Sequence, residues 1–420
     1  MGNDVVVIGA GVIGASCALR LQRSGRQVVL VDRKDPGDRC SAGNAGLIGP
    51  NAIVPTALPG MLTKIPSLLL RREGPLSIRW RDASLVLGWF ARWTACANAA
   101  QAHRSAAALS ALNAGVVAGY RDLLGQAHFD SLVREEPLLN VSQHPFSGAA
   151  SDLVAELRRR HAVRFDVLDA AGIADQQPGL DPRYSHGTLI RGTAYVRDPR
   201  RLVETLCREF GASGGTFLRD EVLGLDSGDG QAVYLRSSAK RHSADAVVIA
   251  AGAESVSLLG PLGLAVPMVA ERGYHVMLEG VEQPPAMPVL DVDQKIVVTP
   301  MESGVRVTGF AEFGAPDAPA DPRKWRLLEA MARRLAPHLG GRVSSRWLGA
   351  RPSTPDSVPV IGRAPGLGTV VLAVGHGHYG MSGAPGTSQL VTDLVDGGRT
   401  SIDPEPYALT RFFPRRPRGI

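Results

Sequence analysis

The stretch VVVIGAGVIG (residues 5–14), with Asp32 eighteen residues beyond Gly14, decides the fold of the first part of the chain. Val5 to Ile8 read as a buried, β-branched strand. Gly9 permits the tight turn after it, Gly11 lets backbone amides approach a pyrophosphate, and Gly14 lets the next helix pack on the strand. That helix begins at Val12 and Ile13 and turns its partial positive charge toward the phosphates. Val28 to Val31 supply a second strand. Asp32, followed by Arg33, stands at its end, where a carboxylate suits a ribose hydroxyl pair. Strand, helix, strand and acid in this order imply a βαβ unit that binds an ADP-containing dinucleotide.

The first strand begins at residue 5, so no signal peptide is expected before it. No apolar run reaches the ~18 residues of a membrane-spanning helix. The chain has 420 residues, 44% of them hydrophobic and 20% charged, which fits a soluble globular protein of two or three domains. The 46 basic and 40 acidic residues leave a mild excess of +6, and aromatics make up only 5%. A nucleic-acid surface would need a basic stripe with interleaved aromatics, so no nucleic-acid partner is expected. The four cysteines (Cys17, Cys40, Cys96 and Cys207) show neither a CxxC pair nor a metal-ligand spacing, so no metal site is expected. This usage fits a reducing cytosol, and a cytoplasmic location follows. The apolar segment from Pro59 to Arg72, which carries Lys64, Arg71 and Arg72, offers peripheral membrane contact as the alternative to a helix packed on the second domain. The basic tail beyond Arg411 reads as a solvated end.

After the βαβ start comes a small-residue loop, SAGNAG (residues 41–46). Residues from about 82 to 125 read as helical, with Trp89, Phe90, Trp93, Leu109, Leu112 and Val116 at helical spacing. Asp198 and Pro199 open a helix whose apolar face is Leu202, Val203, Leu206 and Phe210. A short strand (216–219) and a hairpin across the turn at 226–230 follow. The strand before Ala250-Ala251-Gly252 is expected to return to the first sheet beside the nucleotide. Residues 265–312 alternate as antiparallel strands, and Asp321-Pro322 open a helix running to about Leu335. The end returns to α/β character, with a strand near 369–374 and a helix from about 386 to 395.

The fingerprint, the Ala-Ala-Gly252 strand end, WLGARPSTPDSVPVIG (347–362) and GHGHYG (375–380) stand in the order of one family. Together they resemble the FAD-dependent D-amino acid oxidase and dehydrogenase superfamily, relatives of glycine oxidase and sarcosine oxidase. The nearest resemblance is to bacterial D-amino acid dehydrogenases, in the 41–46 loop and the 351–362 run. It implies a discontinuous α/β, Rossmann-like FAD-binding domain with an inserted α+β substrate domain built on an antiparallel sheet. The expected segments are 1–80, 146–260 and 346–410 for FAD, 81–145 and 261–345 for the helical and substrate parts, and 411–420 for the tail.

The resemblance implies contacts to FAD from Gly9, Gly11, Val12, Ile13, Gly14, Asp32 and Arg33, and from Ser41, Gly43, Asn44, Ala45 and Gly46. Ala251, Gly252, Gly375, Gly377, Tyr379, Gly380 and Met381 complete the set. It implies that Arg351 grips a substrate carboxylate, for which a planar, permanently charged guanidinium is suited; the structural alternative is a pair with Asp356. Tyr274, His376 and His378 are further candidates, and Glu312 is expected to be structural. Tyr274 and His275 point to opposite faces of a strand, so both cannot line one pocket unless the strand bends. In sarcosine oxidase-like members a cysteine carries the flavin covalently. Gly349 stands at that position here, so the FAD is expected to be noncovalent. The implied reaction is hydride transfer from Cα of a D-amino acid to flavin N5, giving an imino acid that hydrolyses to a 2-oxo acid and ammonia. Secondary amines such as D-proline, hydroxy-D-proline, sarcosine or an opine are the alternative substrates. A flavin subunit of a hetero-oligomeric dehydrogenase is the third reading. The electron acceptor stays open between oxygen, a quinone and a protein carrier.

Overall fold

A computed structural model describes residues 4–61, 74–227, 233–238 and 241–413. Most of the 59–72 segment, residues 228–230 of the 226–230 turn and the tail beyond residue 413 lie outside the described residues.

A six-stranded sheet forms one centre. Its order is Thr216–Arg219, Gln27–Asp32, Asp4–Ile8, Ala246–Ile249, Leu367–Val374, Val360–Ala364. All neighbours are parallel except the last pair. Parallel strands are buried on both faces and read as unbroken apolar runs, as Val5 to Ile8 and Val247 to Ile249 do. One face is covered by the helices Val12–Arg23, Pro199–Ala212 and Gly380–Asp396. The other lies under Leu225, Leu258, Leu259 and Val266. The expected return of the Ala246–Ile249 strand holds: it pairs with Asp4–Ile8.

Gly9 and Gly14 set how closely the first helix sits on its strand. Gly9 has φ +107°, and a Cβ there would come within 2.5 Å of the Ala250 carbonyl oxygen. A Cβ at Gly14 would come within 1.7 Å of the Gly9 carbonyl oxygen. Asp198 caps Pro199–Ala212 by accepting from the Arg200 and Arg201 amides at 3.0 Å each. Leu202, Val203, Leu206 and Phe210 are all buried, as their spacing predicts. The last helix begins at Gly380 rather than near 386, because the small residues Ser382, Gly383 and Ala384 continue it through Pro385.

The second sheet contains nine strands among the described residues. Its path runs Arg342–Ser353, Val269–Glu279, Gly304–Phe313, Ile296–Met301, Val289–Asp291, Leu138–Ser142, His186–Ile190, Phe165–Leu168, with Leu76–Ile78 added beside Gly304–Phe313. This corrects the expected segmentation in two places. The strands at 165–168 and 186–190 pair with one another and with 138–142, so the 146–260 segment is not all nucleotide-binding. The strand Arg342–Ser353 pairs along its length with Val269–Glu279, so Arg351 belongs to the second sheet. The cause is the ladder itself, since backbone pairing rather than a sequence boundary decides which sheet a strand joins.

Side chains alternate between the two faces of the second sheet. Tyr274, Val276 and Leu278 turn toward the helix Pro322–Leu335, where Leu328, Met331 and Leu335 meet them. Glu271, Gly273 and His275 face the opposite side, toward the first sheet's loops. Opposite Gly273 the ladder shifts register, and Phe310 takes φ +64°. This is a β-bulge with one residue in left-handed conformation, a costly geometry for a side chain as large as phenylalanine.

Gly14→Ala is expected to destabilise the protein by roughly 1–3 kcal/mol, because strain against backbone outweighs the gain in helix propensity. Urea denaturation checks this; an unchanged midpoint would show that the first helix shifts at no cost.

Candidate active site

The site forms where the second sheet meets the turn between Leu367–Val374 and Gly380–Asp396. Three pairs of residues face each other across Val269–Glu279 and Arg342–Ser353: Glu271 with Arg351, Gly273 with Gly349, and His275 with Trp347. The two glycines leave a bare strip between a charged pair and an aromatic pair. Arg351 leans across it, so that a Cβ on Gly273 would lie 2.2 Å from Nη2. The Trp347 ring leans in from the other side, where a Cβ on Gly349 would lie 2.1 Å from it. His275 and Trp347 stack with centroids 5.2 Å apart and planes 11° apart.

Glu271 is buried and meets side chains from the neighbouring strand and from the turn. Arg351 Nη1 donates to its Oε1 at 3.1 Å and to the Phe310 carbonyl at 3.0 Å. Ser353 Oγ donates to Oε2 at 2.9 Å. His378 Nε2 lies 2.8 Å from Oε1 and 3.0 Å from Oε2. Burial alone would raise the Glu271 carboxyl. His378, the Arg351 guanidinium and the Ser353 hydroxyl outweigh that effect and hold it at about 2. The Phe310 carbonyl that receives Arg351 belongs to the bulge, so the left-handed residue presents an acceptor to the site. Arg351 does not take the alternative partner, Asp356, which pairs with Arg411 at 2.9 Å. A cleft beside the cluster is lined by Thr56, Ser353, Ser357, Gly377, His378 and Tyr379.

The other candidates separate by face and depth. Tyr274 is corrected from site residue to core residue. Its ring is buried, and its hydroxyl lies 3.2 Å from both Glu312 oxygens and accepts from the Asp321 amide at 3.1 Å. Strand alternation turns it toward the helix, and it is His275 that faces the loops. His376 is also corrected. It is buried, its Nε2 meets Thr387 Oγ1 at 2.9 Å, and burial lowers it to about 3. Two residues on, His378 keeps 39% of its side chain exposed. Met381 is a packing residue: it is buried, and its carbonyl accepts from Tyr120 at 2.6 Å. Glu312 is structural as expected. It pairs with Arg272 at 2.5 Å and with Lys324 on the helix side of the sheet.

The remaining candidates gather at the mouth of the first sheet. Asp32 accepts from the Ala10 amide at 2.7 Å and from Lys34 at 2.9 Å, so it holds the glycine turn in shape. Arg33 pairs with Glu221 and Glu254 at 2.7 and 2.6 Å. Ser41 Oγ accepts from Val12 at 3.0 Å and lays the 41–46 loop on the helix N-terminus. Asn44 Oδ1 accepts from Gly46 at 2.8 Å. The next turn, at Gly375 and Gly377, has φ +80° and +50° and leads into Gly380. Ala251 and Gly252 follow the Ala246–Ile249 strand, and Ala45 completes the loop.

Sequence reasoning missed three residues that organise this region: Glu271, Ser353 and Arg306. Arg306 is buried and donates from Nη1 to the carbonyls of Ala42 at 2.8 Å and Asn44 at 2.6 Å. Burial lowers it to about 10. His275 Nδ1 lies 3.2 Å from the Gly43 carbonyl. The second sheet thus grips successive carbonyls of the 41–46 loop. The available signal was the opposite-face rule itself, which puts Glu271, like His275, on the face away from Tyr274.

The residues present fit a dinucleotide. At Gly9 and Gly14 a side chain would collide with backbone, so a bare turn faces the N-terminus of Val12–Arg23, whose cap residue Gly11 makes no side-chain cap. Turn, carboxylate, helix N-terminus and a second glycine turn 361 residues beyond Gly14 mark a dinucleotide-binding protein. The family description "FAD dependent oxidoreductase" (DAO) matches residues 4–394, and the chain belongs to this family. A D-amino-acid oxidase of Bradyrhizobium diazoefficiens is 32% identical over 98% of this chain and 99% of its own. A D-amino acid dehydrogenase of Cereibacter sphaeroides is 32% identical over 97% and 95%. The crystal structure of glycine oxidase from Geobacillus kaustophilus superposes with a TM-score of 0.76 at 21% identity, covering 97% of this chain and 99% of that one. The cofactor of the family is FAD. Among the described residues no His, Cys, Asp and Glu cluster could hold a metal, and no helix is long and apolar enough to cross a membrane.

Two outcomes follow. The Glu271 carboxyl sits near 2 in the fold against an ordinary 4.5. It therefore stabilises the fold above about pH 4.5, and that contribution is lost as pH falls toward about 2. Glu271→Gln is expected to be less stable at neutral pH and to lose less on acidification, as measured by urea unfolding at pH 7, 5, 4 and 3; parallel losses would remove this role. Gly349 supplies no thiol, so acid precipitation is expected to release the yellow cofactor into the supernatant; colour retained in the pellet would show a covalent link.

Proposed function

We propose that this protein carries out FAD-dependent oxidative deamination of D-amino acids. One observation carries the reading: Arg351 and His378 converge on the single buried carboxylate of Glu271, and His378 also lines a small cleft beside the glycine turn at 375–380. The two relatives at 32% identity, named as a D-amino-acid oxidase and a D-amino acid dehydrogenase, support the substrate class.

Arg351 binds the substrate carboxylate. Its Nη1 is held by Glu271 and the Phe310 carbonyl, which fixes the plane of the guanidinium before substrate arrives. Nη2, lying over the bare Cα of Gly273, is the donor that reaches the substrate. FAD, when bound, would supply the acceptor for the hydride that leaves Cα. The chain's own work is to aim Cα–H at it and to favour the neutral amine. Gly9, Gly11 and the N-terminus of Val12–Arg23 would hold the pyrophosphate. Asp32 would meet the ribose, and the turn at 375–380 would lie along the ring system.

The test is anaerobic addition of D-amino acids, L-amino acids and N-alkyl glycines to the oxidised holoenzyme. Bleaching by D-amino acids is expected; bleaching by N-alkyl glycines or L-amino acids alone would overturn the substrate assignment. Arg351→Ala is expected to lose roughly 2–5 kcal/mol in kcat/KM, the range for truncating one partner of a buried charge pair. Arg351→Lys, which keeps the charge and loses the planar fork, should recover part of it. Unchanged kcat/KM in both variants would remove Arg351 from substrate binding.

A further inference from the structure

We propose that His378 and Glu271 form a proton-accepting dyad, in which His378 takes the proton of the substrate ammonium and Glu271 positions the imidazole. The inference rests on the D-amino acid reading above and adds a catalytic residue and a positioning residue to it.

Geometry assigns the roles. The His378 Nε2 lies within 3.0 Å of both Glu271 oxygens, so the carboxylate receives Nε2–H. That contact selects the tautomer in which Nδ1 carries the lone pair. The ring lines the cleft and is 39% exposed, while Glu271 behind it is buried. Nδ1 is therefore the nitrogen available to a substrate. The Arg351 guanidinium touches the same carboxylate at 3.1 Å. Clamp and base are thus separated by about one carboxylate group, which matches an α-amino acid, whose carboxylate and amine share one carbon.

Charge points the same way. Arg351 and Glu271 cancel. A substrate carboxylate adds one negative charge to a part-buried site, and a proton on His378 restores the balance. A zwitterionic amino acid supplies both, so transfer of its ammonium proton to Nδ1 leaves two cations facing two carboxylates. The amine lone pair is then free. As the Cα–H bond breaks, its electron pair leaves as hydride to the oxidised FAD, and the lone pair forms the C=N bond. The product is an iminium acid and the reduced cofactor, with the first proton retained on His378.

The other groups that face the pair do not compete for this proton. Arg351 and Ser353 approach from the Arg342–Ser353 strand as donors. Cys40, from the loop after Asp32, has its thiol raised by burial, with Arg351 and Glu271 among the charges acting on it. Tyr379, adjacent on the same turn, is raised to about 12 by burial and donates to the Val54 carbonyl.

Two measurements test the dyad. The first is the rate of anaerobic flavin bleaching by a D-amino acid against pH. His378→Asn is expected to slow it roughly 10²-fold at neutral pH, within the usual range for a positioned base. The rate should recover at alkaline pH, where the ammonium ionises unaided, and imidazole added to His378→Ala should restore part of it. Glu271→Gln is expected to move the acid limb of the profile to lower pH. The second does not need turnover. Propanoate, a carboxylate without an amine, should take up about one proton on binding to the wild-type holoenzyme, read by calorimetry in buffers of different ionisation enthalpy. Uptake should vanish in His378→Asn. Identical pH profiles and identical proton uptake in wild type and His378→Asn would overturn the dyad while leaving the D-amino acid reading intact. Failure of every D-amino acid to bleach the wild-type flavin would overturn both.

Discussion

The site depends on one buried carboxylate. Glu271 stands on one strand of the second sheet, and it receives donors from the neighbouring strand Arg342–Ser353 and from a turn that leaves the first sheet. An ionised carboxylate removed from water costs several kcal/mol unless donors replace the lost hydration. Here the replacement comes from Arg351 and Ser353 on the partner strand and from His378 on the turn. Withdrawing any of them leaves the carboxylate under-solvated, so the three are held by a shared penalty rather than by three independent attractions. The backbone adds a bridge between Ser353 and His376 at the same junction. The two sheets are thus locked in register where substrate would enter.

The second sheet carries charge on both faces, and the bulge makes this compatible with a ladder. On the helix face, Arg272, Glu312 and Lys324 form a buried network with Tyr274 and Ser77. On the cleft face, Glu271 and Arg351 form another. Adjacent residues 271 and 272 serve the two networks because alternation sends them apart. Opposite them, the register shift at Gly273 and Phe310 resets the phase of Gly304–Phe313. Arg306 therefore faces the cleft while Glu312, six residues later, faces the helix. Without the extra residue the even spacing would put both on one side. The left-handed Phe310 is the cost of that reset, and its carbonyl is reused as an acceptor for Arg351.

These relations explain what the sequence disclosed and what it did not. Local rules were legible. The glycine fingerprint, the Asp198 and Asp321 caps, the buried faces of Pro199–Ala212 and Pro322–Leu335, and the returning Ala246–Ile249 strand all follow from interactions within a few residues or from a strong pattern. Arg351 and His378 could be picked out from the motifs that hold them, but the link between them could not. It passes through Glu271, some 80 and 107 residues away in sequence, and depends on a cross-strand register that no local pattern encodes. The same limit misplaced Tyr274. Alternation showed that Tyr274 and His275 must part, yet which face met the helix was a tertiary question. His376 and His378 look equivalent in GHGHYG; only the packing of Thr387 against one ring and the cleft beside the other separates them.

The opening fingerprint and the distant 375–380 turn are also mechanically joined. The helix Val12–Arg23, seated by Gly14 on the first strand, packs along Gly380–Asp396. Arg20 ties the two at Ser388 and Gln389, at 3.1 and 2.9 Å. The turn that carries His378 runs directly into the first residues of that second helix. Meanwhile Ser41 fastens the 41–46 loop to the start of the first helix, and Arg306 and His275 hold the same loop from the second sheet. The helix whose N-terminus would receive a pyrophosphate is therefore braced against both elements that shape the cleft. Glycine at position 14 sets a helix-to-strand distance near residue 9, and that distance passes through helix packing to a histidine more than three hundred and sixty residues later. On the proposed reading, the contacts that would place the cofactor's ADP half also brace the turn that carries His378, so a motif that by itself announces only dinucleotide binding would bear on where the substrate sits.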